Sequence, residues 1–103
     1  MFDIWKVKRV EPRIALKLPV TLEGTDIENV TFREETTTEN VSKHGACLIV
    51  ARKLAIGTTV TIIGSQGKFK SEGVVKGIWI DDSDRKIKIG IQFLGPVQNW
   101  VVT

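Results

Sequence analysis

Apolar and polar residues alternate through much of this chain, and a period of two belongs to extended strands rather than to helices, whose apolar stripes recur every three to four residues. Ile14, Leu16, Leu18, Val20 and Leu22 fall on one face of an extended segment, with Lys17 and Thr21 on the other, which predicts a half-buried strand. Ile87, Ile89, Ile91 and Phe93 repeat the pattern, with Lys86, Lys88 and Gln92 facing outward and Gly90 marking a bend. Between these two segments, residues 30–40 are rich in threonine and charge and residues 46–50 are continuously apolar. Residues 58–63 are β-branched, and residues 68–80 form a long stretch with apolar groups on both faces toward its end. Five or six strands result.

The connections are short. Gly24-Thr25-Asp26, Gly64-Ser65-Gln66-Gly67 and Asp81-Asp82-Ser83-Asp84 carry turn chemistry, through glycine's access to positive φ and the local hydrogen bonds of Asp and Ser. Short links between successive strands imply antiparallel pairing, and closing such a sheet into a small barrel removes exposed edges. Pro19, which has no amide hydrogen for a ladder, is expected at an edge or bulge. A chain of 103 residues that is 42% hydrophobic fills one core, so one domain is expected. Residues 1–13 hold charge, a proline and no clean period, and read as a flexible N-terminal arm. Residues 14–95 read as the barrel and residues 96–103 as a tail, with room for at most a short helical turn after Gly95-Pro96.

Charge narrows the function. A net charge of +3 is too small for a general nucleic-acid binder, so any anion site should be local, and the basic residues gather near the start at Lys6, Lys8, Arg9 and Arg13. Cys47 is the sole cysteine and lies in an apolar run, which excludes an internal disulfide and predicts a buried, inert thiol. No apolar stretch approaches the ~20 residues of a membrane helix, and the first residues lack the pattern of a signal peptide. A cytoplasmic location is expected.

Catalytic and metal chemistry find little support. His44 is the sole histidine, which leaves no two-histidine metal site, and its spacing from Cys47 makes a poor zinc site. Ser42 and His44 lie two apart on a turn with no carboxylate placed to orient the ring, so a hydrolase is not expected. Asp81, Asp82 and Asp84 lack the ligand spacing of a calcium hand and read as a solvated hairpin turn.

Two motifs remain. In Arg9-Val10-Glu11-Pro12-Arg13, following Lys8, two guanidinium forks stand four residues apart on a stiffened path, suited to phosphates or to the O6/N7 edge of guanine. In Asn40-Val41-Ser42-Lys43-His44-Gly45, an amide and a hydroxyl precede a glycine that lets a backbone approach closely. Each has a plainer reading: Glu11 can pair with an arginine on a solvated arm, and Asn40, Ser42 and Gly45 can cap a turn.

Together, and in this order, the motifs resemble the R-x-x-x-R and [D/N]-x-S-x-x-G signatures of PilZ domains, bacterial receptors for cyclic di-GMP. Gly57-Thr58, Trp79 and Gly90-Ile91-Gln92-Phe93 are also similar to family positions, so the resemblance covers most of the chain. It implies an all-β, six-stranded antiparallel barrel of PilZ type whose arm folds over the ligand, signalling to a downstream protein partner. It further implies that Arg9 and Arg13 clasp guanine edges and phosphates, that Asn40 and Ser42 meet guanine polar atoms, and that Gly45 keeps the turn open. Lys8, just before the first arginine, points to a stacked pair of ligands. Asn40 stands where Asp is often found, which implies altered guanine contact. No further cofactor, no DNA or RNA and no membrane insertion are expected. Trp79 reads as packing, and Trp5 and Trp100 as covering barrel surface or meeting a partner. The other reading is a PilZ-like interaction domain that binds no nucleotide. A barrel for single-stranded nucleic acid would call for exposed aromatics along a basic groove, which this sequence lacks.

Overall fold

The computed structural model describes residues 13–64, 67–95 and 100. The arm up to residue 12 and the tail, Trp100 excepted, lie outside the described residues, as does the helical turn expected there. Six strands follow in order: β1 (Pro19–Thr25), β2 (Thr31–Ser42), β3 (Gly45–Val50), β4 (Thr59–Gly64), β5 (Phe69–Ile80) and β6 (Ile87–Phe93). All pairings are antiparallel. The sheet closes in the order β1-β2-β3-β6-β5-β4, and β4 pairs back onto β1. No α-helix occurs among the described residues.

The two long strands make closure possible. β2 pairs with β1 through Thr37 and with β3 from Thr38 onward, and β5 passes in the same way from β4 to β6. The register shifts near each changeover, between Thr38 and Asn40 and between Val75 and Gly77. An extra residue bends and twists a strand, which carries β2 and β5 around the barrel's corners. Alternation then fills the interior: Val20 and Leu22, Ala46, Leu48 and Val50, Val60 and Ile62, and Ile89, Ile91 and Phe93 are all buried in one core. Each large aliphatic among them contributes about 1.5–3 kcal/mol by leaving water.

Four expectations need correction. The alternating segment from Ile14 is not one strand, because β1 begins only at Pro19 and Ile14 makes an isolated bridge to Val41. Between them the side chain of Thr38 takes the place of a ladder: its Oγ1 accepts from Leu18 N (2.8 Å) and donates to Leu16 O (2.6 Å). Leu16 and Leu18 still pack against the core, but Ile14 is exposed. Pro19 sits at neither a sheet edge nor a bulge; it opens β1, just before the β1–β4 ladder starts at Val20–Gly64.

Lys88 faces outward yet is only 9% exposed, because Asp81 Oδ2 (2.9 Å), Glu39 Oε1 (3.0 Å) and Asp84 Oδ2 (3.4 Å) surround its Nζ. The aspartate turn is therefore a lysine clasp rather than a merely solvated loop. Trp79, expected to pack, is 40% exposed, since it pairs with Lys88 on the outer face.

Candidate functional site

The segment 13–18 and the second half of β2 bring the two motifs together. Ile14 and Val41 exchange backbone hydrogen bonds of 2.8 and 2.9 Å, and Thr38 N donates to Leu18 O at 2.9 Å, so the segment from Ile14 to Leu18 runs beside β2. That placement sets Arg13 Nη1 3.5 Å from Asn40 Oδ1, although the two residues are 27 apart in sequence. Both are half-buried. The bulge at Thr38–Asn40 turns Asn40 to the outer face, where a row of paired residues crosses the sheet from Asn40 to Cys47, Gly90 and Gly77. Cys47 and Gly90 in that row are buried.

Cys47 lies beneath this face. Burial pushes its thiol up to about 11, and the charges of Arg13, Glu39 and Lys88 all act on it. It is buried, as expected, and stays protonated at neutral pH. The neighbouring lysine clasp is firmly ionised: hydrogen bonds from Ser83 and then Lys88 hold the Asp81 carboxyl well below the usual carboxylate range, and Asp81 foremost raises the Lys88 ammonium above the usual lysine range.

The turn after β2 is held from several sides. Ser42 is only 9% exposed, and its Oγ lies 3.5 Å from Gly45 O, at the limit of a hydrogen bond. Its carbonyl accepts from Trp100 Nε1 at 2.7 Å, and His44 O accepts from Phe93 N at 2.8 Å. A Cβ on Gly45 would collide with the Ile91 carbonyl, so glycine is required here by the close approach of β3 to β6. Of the six residues singled out from sequence, Arg13 and Asn40 are adjacent, and Ser42 and Gly45 stand just beyond them with their local contacts already made. Lys8 and Arg9 lie outside the described residues. No group of three or more His, Cys, Asp or Glu arranged to hold a metal occurs among the described residues.

Trp100 and Thr38 are the site neighbours that sequence reasoning missed. Thr38 is one of several threonines in a row, and only the register shift distinguishes it. Trp100 stands in no periodic segment, and its partner Ser42 is 58 residues away.

Several solved structures resemble this chain, one of them a PilZ domain. The Bacillus subtilis inhibitor of motility MotI/DgrA aligns with a TM-score of 0.71 at 17% identity over 88% of this chain, which spans 44% of that one. The PilZ domain of YcgR from Escherichia coli, solved with c-di-GMP, aligns with a TM-score of 0.59 at 19% identity over 84% of this chain and 78% of that one. The K. pneumonia MrkH–c-di-GMP complex gives 0.61 at 17% identity, over 84% of this chain and 43% of that one. Likeness at such identities speaks for the fold. No curated protein sequence matches the chain. The family description "PilZ domain" matches residues 8–99, nearly the whole length, and with the closed barrel it shows that this chain belongs to the PilZ domain family.

Proposed function

We propose that this chain is a non-catalytic, cytoplasmic receptor module for cyclic di-GMP, bound on the outer barrel face between the arginine arm and the β2–β3 turn. The observation that carries the reading is the meeting of Arg13 with Asn40, which sets a guanidinium fork and an amide side by side on a PilZ barrel. A ligand with two phosphates and two guanines rewards that combination, since the fork meets a phosphate or guanine O6/N7 with paired bonds and the amide meets a base edge. Arg9 supplies the second fork, Lys8 adds charge beside it and favours a stacked pair of ligands, and Ser42 and Gly45 shape the turn. Ordering the arm around the ligand changes the surface that a protein partner reads.

Calorimetric titration of cyclic di-GMP tests this directly. Binding at micromolar Kd or tighter is expected, with Arg9→Ala and Arg13→Ala each reducing it at least about 100-fold, the loss of a charge-assisted bidentate contact. Two ligands per chain would support the stacked pair. One observation favours the other reading, a PilZ-like domain that acts through protein contacts alone: the Ser42 hydroxyl is buried and turned toward Gly45 O. Wild-type protein giving neither heat nor a thermal shift at millimolar ligand would establish that reading instead.

A further inference from the structure

Trp100 is buried to 6% exposure, with ring centroids 4.6 Å from Phe69 and 4.9 Å from Phe93. It closes the barrel end at which the β2–β3 turn lies. Its Nε1 donates to Ser42 O at 2.7 Å, a bond that phenylalanine in the same space would not make. It also stands one position beyond residues 8–99, the part matched by the family description.

The carbonyl it holds belongs to the peptide that opens the Lys43–His44 turn. Fixing that carbonyl fixes the backbone of Ser42, two residues beyond Asn40 on β2, so the indole acts on the path of the strand that presents Asn40. The far side of the turn is tied independently, by Phe93 N to His44 O and by the packing of Gly45 under Ile91.

We propose that Trp100 is a positioning residue of the ligand site: its indole holds the Ser42 carbonyl so that the turn from Asn40 to Gly45 is set in advance for cyclic di-GMP. The assignment rests on the receptor reading above. Pre-setting a loop raises affinity by lowering the ordering cost at the moment of binding. Linkage makes the effect reciprocal, so a ligand that prefers the held turn also tightens the hold of Trp100.

The test uses ¹⁵N-labelled full chain titrated with cyclic di-GMP, with the three indole N–H signals assigned from Trp5→Phe, Trp79→Phe and Trp100→Phe. Calorimetry is run on wild type and Trp100→Phe. The Trp100 indole signal is expected to shift with ligand and to exchange its proton more slowly. Trp100→Phe is expected to unfold cooperatively yet bind about 3- to 10-fold more weakly, the range for one net hydrogen bond. Either an indole signal that ignores the ligand or an undiminished affinity of the variant overturns the assignment and leaves Trp100 a packing residue. Should the variant fail to fold, the wild-type signal decides alone: movement supports the proposal and stillness overturns it. Wild-type protein that binds no cyclic di-GMP overturns the receptor reading and this assignment together, and wild-type calorimetry shows that outcome separately.

Discussion

The two ends of the barrel solve the same problem, securing a tight turn, with different chemistry. At one end the β2–β3 turn is held by backbone and indole: Trp100 on Ser42 O, Phe93 on His44 O, and Gly45 pressed under the Ile91 carbonyl. At the other, aspartates do the work. Asp26 Oδ1 accepts from Glu28 N (2.9 Å) and Val30 N (3.0 Å) in the β1–β2 turn while its Oδ2 meets Arg52 at 3.1 Å, and Asp81 accepts from Ser83 and Lys88 in the β5–β6 turn. The first turn depends on shape and leaves no room for a Cβ at Gly45, whereas the second end depends on charge and answers to pH. The proposed ligand site lies against the shape-dependent end, where main-chain and indole bonds hold the turn.

The largest effect expected from that contrast is at Gly45. Gly45→Ala places a Cβ against a main-chain carbonyl that cannot turn aside without breaking the β3–β6 ladder, and a loss of more than about 3 kcal/mol is expected in chemical denaturation. Gly64→Ala is the informative control. Its Cβ would meet only side-chain atoms of Val20 and Phe69 at ordinary contact distance, so it should cost much less. Equal losses for the two substitutions would contradict the idea that backbone proximity fixes this end.

A step smaller is the loss at Thr38, which joins the arm's root to β2. The residue is fully buried, and its hydroxyl serves Leu18 N and Leu16 O at once. Thr38→Val keeps the volume and strands both backbone groups, so about 1–3 kcal/mol should be lost. Arg13 hangs from this join, and weaker cyclic di-GMP binding should follow. A variant as stable as wild type would mean that water satisfies the two groups and that the arm's root is held elsewhere.

These cases also mark how far the sequence could be read. β6 was legible because Ile87, Ile89, Ile91 and Phe93 keep strict alternation from end to end, and β3 because a short apolar run between turns fits a buried strand. The alternation from Ile14 misled because periodicity reports which face is apolar and not whether a neighbouring strand is present to pair with; Leu16 and Leu18 do pack inward without a ladder. Lys88 faces outward as its position in the alternation predicts, but its burial was out of reach because its three acids come from two segments, the β2 bulge and the β5–β6 turn, which only the pairing of β2, β3, β6 and β5 brings together. In the candidate site, the motifs singled out Arg13 and Asn40, and the bulge that sets them side by side is invisible to pattern. The bond from the Trp100 indole to the Ser42 carbonyl was out of reach for the same reason, since its partners stand 58 residues apart.

The smallest effect, and the one that separates the two ends most cleanly, is the response of the aspartate end to pH. Asp26 and Asp81 both have carboxyls held below their ordinary range, by the Val30 amide first in one case and by the Ser83 hydroxyl first in the other. A carboxyl lowered on folding adds stability that is present above its unfolded value, near pH 4, and is lost as pH falls through the folded value; acid should therefore weaken this end from about pH 5 downward. Lys88 is raised, so its share is present below about pH 10 and is lost in strong alkali. Asp81→Asn keeps an acceptor for Ser83 but removes the charge facing Lys88, whose other partners Glu39 and Asp84 remain. The variant should melt slightly below wild type at pH 7, and the gap should begin to narrow as pH falls below about 4, because the unfolded carboxyl takes up a proton there while the folded one, held well below the usual range, keeps its charge. A gap that stayed constant across that range would uncouple Asp81 ionisation from folding and erase the distinction between the ends. A gap that narrowed while the Phe93 amide signal stayed fixed in the same titration would locate the acid response at the charged end alone.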